Sequence, residues 1–157
     1  MAFNWNSLAP LTELLWSRFD ARALAEIRKA EHPELVDVGL VENCDASPFS
    51  LRGGMRSLEL MIGRMENHWI PSGYYLIDEY ANDMQTRERV GEVALRLPLD
   101  LGLEIRGVLD DLDLRLWGLT VPDDEGVIVS QYVPGRDVSR TPWWWRRIPN
   151  PAPWDGM

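Results

Sequence analysis

From Val93 to Ile105 every second residue is a large aliphatic: Val93, Leu95, Leu97, Leu99, Leu101, Leu103 and Ile105, with Ala94, Arg96, Pro98, Asp100, Gly102 and Glu104 between them. A period of two held over so many apolar positions predicts a half-buried strand. After a break at Gly107 to Asp110 the alternation resumes in Leu112, Leu114 and Leu116, set against Asp111, Asp113 and Arg115. One face inward and one in water is the pattern of an antiparallel sheet. Pro98 has no ladder donor, so the strand should lie at an edge there or be bent by a bulge. Read this way, Leu95, Leu97, Leu101, Leu103, Leu114 and Leu116 enter one core with Leu15, Phe19, Leu58 and Ile62.

Upstream, the spacing changes to that of a helix. Leu11, Leu15, Phe19, Ala23 and Ile27 recur every four residues between Ser7 and Glu31, with Leu8, Leu14 and Leu24 widening the stripe and Trp16 at the edge of the core. Ser7 can cap the start, Pro10 fits the first turn, and Asp20 can cap a second segment, so the helix can be kinked or split. Pro33 ends it. Leu35 to Val41 reads as a short strand, and Asn43 to Gly54 is turn-rich. Met55, Leu58, Met61, Ile62 and Met65 then share one face of a further helix, expected in the core. Tyr74 to Tyr80 reads as a strand and Asn82 to Arg89 as a polar connection or helical turn. Val121 to Gly126 has the composition of a hairpin loop leading into a strand from Val127 to Val133. Helices first and strands afterwards predict an α+β fold, with N-terminal helices on one face of a mostly antiparallel sheet of about five strands.

Residues 1–140 are therefore expected to form one domain, and residues 141–157 an irregular C-terminal tail. That tail holds four tryptophans and four prolines in 17 residues. Proline denies it regular structure, and indole surface does not stay in water, so the tail must lie against the domain or against a partner. Tryptophan and arginine dominate interface hot spots, which makes Trp143, Trp144, Trp145, Arg146, Arg147 and Trp154 the candidate partner-binding residues.

Charge sharpens this picture. The net charge is −9, and all but Lys29 of the sixteen basic residues are arginine. Residues 1–135 carry 23 acidic and 12 basic side chains, whereas residues 136–157 carry 2 and 4. An acidic body repels the phosphate backbone, so a nucleic-acid partner is not expected. No apolar run approaches the ~18 residues of a membrane span, and Met1 to Asn6 lacks the features of a secretory leader, so the expected setting is cytoplasmic.

No catalytic or cofactor motif emerges. Cys44 is the single cysteine, and His32 and His68 have no metal-ligand spacing. Gly53 and Gly54 precede a helix without the Gly-Lys-Ser/Thr of a phosphate loop. Pro98-x-Asp100 followed by Glu104-x-Arg106 resembles a metal-dependent nuclease pattern with arginine in place of lysine, but the alternation already accounts for those positions. No metal or cofactor is expected. The profile fits a non-catalytic protein-binding protein, most simply an acidic immunity or inhibitor protein that masks a basic partner. A small phage or secretion-system assembly component is one alternative. A metal-dependent enzyme using Glu104 and the Asp110 to Asp113 carboxylates is another.

Overall fold

The computed structural model describes residues 9–33, 50–67, 75–132 and 141–154. The expectations for Ser7, Leu35 to Val41, Cys44 and His68 lie outside them. Within them the protein is helical. Helix α1 (Pro10–Ser17) starts at Pro10, whose missing donor costs nothing in a first turn. It is followed after a short elbow by α2 (Ala21–Glu31), where Asp20 Oδ1 accepts from Ala23 N at 2.8 Å. Helix α3 (Leu51–Glu66) is capped by Ser50, whose Oγ accepts from Gly53 N at 3.0 Å. Gly53 and Gly54 thus belong to the first turn of α3 rather than to a preceding loop. Gly54 has a packing reason to be glycine, since a Cβ there would stand 2.7 Å from Val90 Cγ2 on α4 (Ile77–Leu95).

The five-strand sheet is absent among the described residues, and the α+β expectation is corrected to a helical fold with a single two-stranded sheet. The alternating run lies in the end of α4 and in α5 (Leu99–Gly118). Every second residue includes every fourth. Leu101 and Ile105 therefore satisfy a helical stripe as well as a strand face, Leu109, Leu112 and Leu116 continue it, and Leu97 joins them from the connection between the two helices; all six are buried. Leu95, Leu103 and Leu114, expected inside, are 73%, 56% and 72% exposed. Pro98 occupies the cap position of α5, and its carbonyl accepts from Gly102 N at 2.8 Å. A proline is tolerated at a helix start, whereas mid-strand it would break the ladder.

Two further strands are corrected. Ile77 to Tyr80 is the first turn of α4, where Glu79 Oε2 accepts from Leu76 N at 3.1 Å, and Asn82 to Arg89 is the middle of that helix. Val127 begins α6 (Val127–Tyr132) because Asp123 caps it, accepting from Val127 N at 3.2 Å and Ile128 N at 2.9 Å. Two bonds at the amino end outweigh the strand preference of three branched residues. The turn before it uses Gly126 at φ 65°. The sheet pairs β1 (Thr120–Pro122) with β2 (Arg147–Pro149), antiparallel, with Val121 opposite Ile148. So Val121 to Gly126 does not close a hairpin; the partner of β1 comes from the tail.

Helix α3 sits at the centre, packed against α1, α4 and α5. Met55, Met61 and Met65 are buried there, as is Trp16, edge-on to Phe19 at 5.3 Å. Two carboxylates are drawn into the packing. Glu59, 1% exposed, accepts from Leu11 N and Thr12 N at 2.9 Å and from Thr12 Oγ1 at 2.7 Å. It thereby satisfies donors at the positive end of α1. Glu13 is clamped by Arg52 and by Arg56, whose Nε donates at 2.8 Å. Burial pushes the Glu13 carboxyl up, but the two guanidinium groups outweigh it and hold it below its ordinary value.

Candidate functional site

A stripe at 3.6-residue spacing on one side of α5 leaves other residues of the same helix on the opposite side. There, Leu99 is 72% exposed, Leu103 56%, Leu114 72% and Trp117 49%. The carboxylates of Asp100, Glu104, Asp110 and Asp111 are exposed beside them. Single exposed leucines are ordinary, but four large apolar side chains on one helix, bordered by four carboxylates, form a mixed patch of the kind that marks interaction surfaces. The sequence carried the signal in Leu109, Leu112 and Leu116. These extend only the every-fourth subset and so turn the remaining leucines outward.

The tail lies on the protein's own helices. Trp145 is 1% exposed and joins the core, while Trp143, Trp144 and Trp154 are partly buried against it. Trp144 lies under the Arg87 guanidinium at 4.3 Å, and Arg87 also forms a two-pronged bridge to Asp113, both distances 2.7 Å. Trp154 packs near Tyr80 at 5.9 Å, and the Tyr80 hydroxyl donates to Arg147 O at 3.3 Å. Burial pushes the Tyr80 hydroxyl upward, so it stays protonated as that donor. Arg147 sits 3.8 Å over the Trp117 ring and donates through Nη2 to Thr120 O at 2.6 Å. Trp143 meets Trp117 edge-on at 5.4 Å. Of the six candidate tail residues, Arg146 is exposed, and Trp143 and Arg147 reach the outward side of α5 through Trp117.

The carboxylates of the enzyme alternative are dispersed by the helix. Asp113 is held by Arg87, whereas Glu104, Asp110 and Asp111 point to solvent. Among the described residues no three His, Cys, Asp or Glu side chains form a group able to hold a metal ion. The one described acid with a strongly raised pKa is elsewhere. Asp83 on α4 is pushed up to about 6, chiefly by burial, and accepts a hydrogen bond from the Tyr75 hydroxyl that draws it partly back. No described helix is long and apolar enough to cross a membrane.

A scan against protein-family models finds no match, and searches of curated proteins and of solved structures find no relative.

Proposed function

We propose that the protein is a non-catalytic, cytoplasmic binding protein whose outward α5 side covers a basic surface of another protein, as an immunity protein or inhibitor does. The observation that carries this reading is the pairing on α5 of exposed Leu99, Leu103, Leu114 and Trp117 with Asp100, Glu104, Asp110 and Asp111. Apolar side chains supply contact area that favours association, and the carboxylates select and steer a cationic partner. At 20 residues α5 is about 30 Å long, enough to underlie an interface of ordinary size. The tail contributes at one end, where Trp143 and Arg147 lie against Trp117.

A second copy of the chain suits this surface poorly, because it would bring the same carboxylates face to face on a body of net charge −9. The test is capture of partners from the source cell by the immobilised full chain, at low and high salt. A basic protein should be retained at about 0.05 M salt, fade towards about 0.5 M, and be lost to a variant carrying Asp100→Lys, Glu104→Lys and Asp111→Lys. An acidic partner, or one held equally by that variant, would overturn the reading.

A further inference from the structure

We propose that the groove between α1 and α5 seats an amphipathic, cationic helix of the partner; this inference rests on the binding reading above. Two hollows, of about 360 and 250 Å³, run on from one another and share Arg18 and Glu104. The first lies between α1 and the middle of α5, the second between the α1–α2 elbow and the start of α5. Leu11, Leu15 and Phe19 line one wall, and Leu101, Leu103 and Val108 the other. The groove is open because α5 presents Gly107 to it, and a Cβ there would meet nothing within 4 Å.

The rim gives the occupant its charge. Asp20 and Glu26 on one edge are balanced by Arg18 and Arg22, whereas Asp100, Glu104 and Asp111 on the α5 edge have no basic neighbour in the lining, so the acidic excess runs along α5. The walls give it its shape. Both are helices whose backbone groups are already paired, so an extended segment would find no ladder to join. A helix needs only an apolar stripe at i, i+3, i+4 spacing to lie along the floor, with lysine or arginine on its flanks facing the carboxylates. A repeat of this chain's own acidic helices would be repelled by the same rim.

The experiment titrates the full chain into fluorescent peptides of roughly 18 residues and follows anisotropy. One peptide is a leucine/lysine sequence with helical spacing, the second has the same composition in strict alternation, and the third replaces lysine by glutamate. The helical cationic peptide should bind at least roughly tenfold more tightly than either. Gly107→Arg should weaken it by about tenfold or more, while Leu95→Lys, which adds the same charge at the exposed end of α4, should cost less than about threefold. Gly107→Arg should melt no lower than the parent, because it replaces a helical glycine at an open position. If it does melt lower, Leu103→Lys at the exposed lip takes its place, with the same loss expected.

Equal binding of the two cationic peptides would overturn the helical seat, as would a loss with Leu95→Lys that matches the groove variant. Both results leave a basic partner standing. Binding of the glutamate peptide as tightly as the lysine peptide would overturn the groove proposal and the function it rests on.

Discussion

Arg147 stacks on Trp117 and fastens the tail to the chain that follows α5. Its guanidinium lies 3.8 Å over the indole, Nε donates to Thr120 Oγ1 at 2.8 Å, and Nη2 donates to Thr120 O at 2.6 Å. Lysine can supply the charge but not the flat fork that does both. Arg147→Lys is therefore expected to cost roughly 1 to 2 kcal/mol, a fall of about 2 to 8 °C in melting temperature for a chain of this size. Trp145→Ala, which empties a fully buried site, should cost about 3 to 5 kcal/mol. Differential scanning calorimetry of both variants would expose an error here: a tail that only rests on the surface would leave both melting points unchanged.

The direction of the α5 leucines is open to a paired test. Ile105 is 0% exposed and Leu103 is 56% exposed, although both sit on the same face of the alternating run. Ile105→Asp is expected to unfold the protein, since an unpaired buried charge costs several kcal/mol against a total of about 5 to 15. Leu103→Asp should fold with a stability change near 0.5 kcal/mol or less, as for an ordinary surface site. Far-ultraviolet circular dichroism distinguishes the two, and equal unfolding of both variants would return the run to a strand.

Glu59 joins α3 to the start of α1 from inside the core. Its removal in Glu59→Ala leaves Leu11 N, Thr12 N and Thr12 Oγ1 without their acceptor, at an expected cost of about 3 kcal/mol or more. Glu59→Gln keeps one acceptor oxygen and should lose clearly less. Urea denaturation measures both, and equal losses would mean that the site is a matter of volume rather than hydrogen bonding.

Asp83 makes stability depend on pH in the less usual direction. Folded, its carboxyl titrates at about 6; the ordinary value is 3.8. The folded state therefore holds the proton more tightly, and this contribution to stability is complete below pH 3.8 and lost as the pH rises through 6. Glu13, held below its ordinary value, works the opposite way and loses its contribution as the pH falls. Asp83→Asn removes the first effect alone. The variant's stability relative to the parent should rise between pH 4 and pH 7 by up to about 3 kcal/mol. A difference that is flat with pH would show that Asp83 titrates normally.

The start of α2 was legible in a side chain that bonds its own backbone neighbours, whereas the like signals of Glu79 and Asp123 stood beside strand-forming residues and were not legible. Asp20 stands at that start, where its Oδ1 accepts from Ala23 N. The helical stripe Met55, Leu58, Met61, Ile62 and Met65 is also the one that is buried. Legibility failed where two periods coincide. Leu97, Leu101 and Ile105 fit a period of two and a period near four equally well, and only Leu109, Leu112 and Leu116 beyond the break separate them. It also failed at β1, because the partner strand lies 25 or more residues further on and pairs through backbone atoms that leave no pattern in side-chain type. The tail's need for a surface was readable from its indoles. Which helices provide that surface was not, since Arg87, Tyr80 and Trp117 come from separate parts of the chain.

Pro98, the residue that opens α5, acts on the unfolded chain as well. Before the helices form, Val93 to Ile105 is a stretch in which every alternate side chain is apolar, the composition that stacks into intermolecular cross-β aggregates. Pro98 divides it into two short halves, neither of which can pass a continuous ladder to a neighbouring molecule. The same ring that sets the first turn of a helix thus serves as a gatekeeper against self-association during synthesis and refolding.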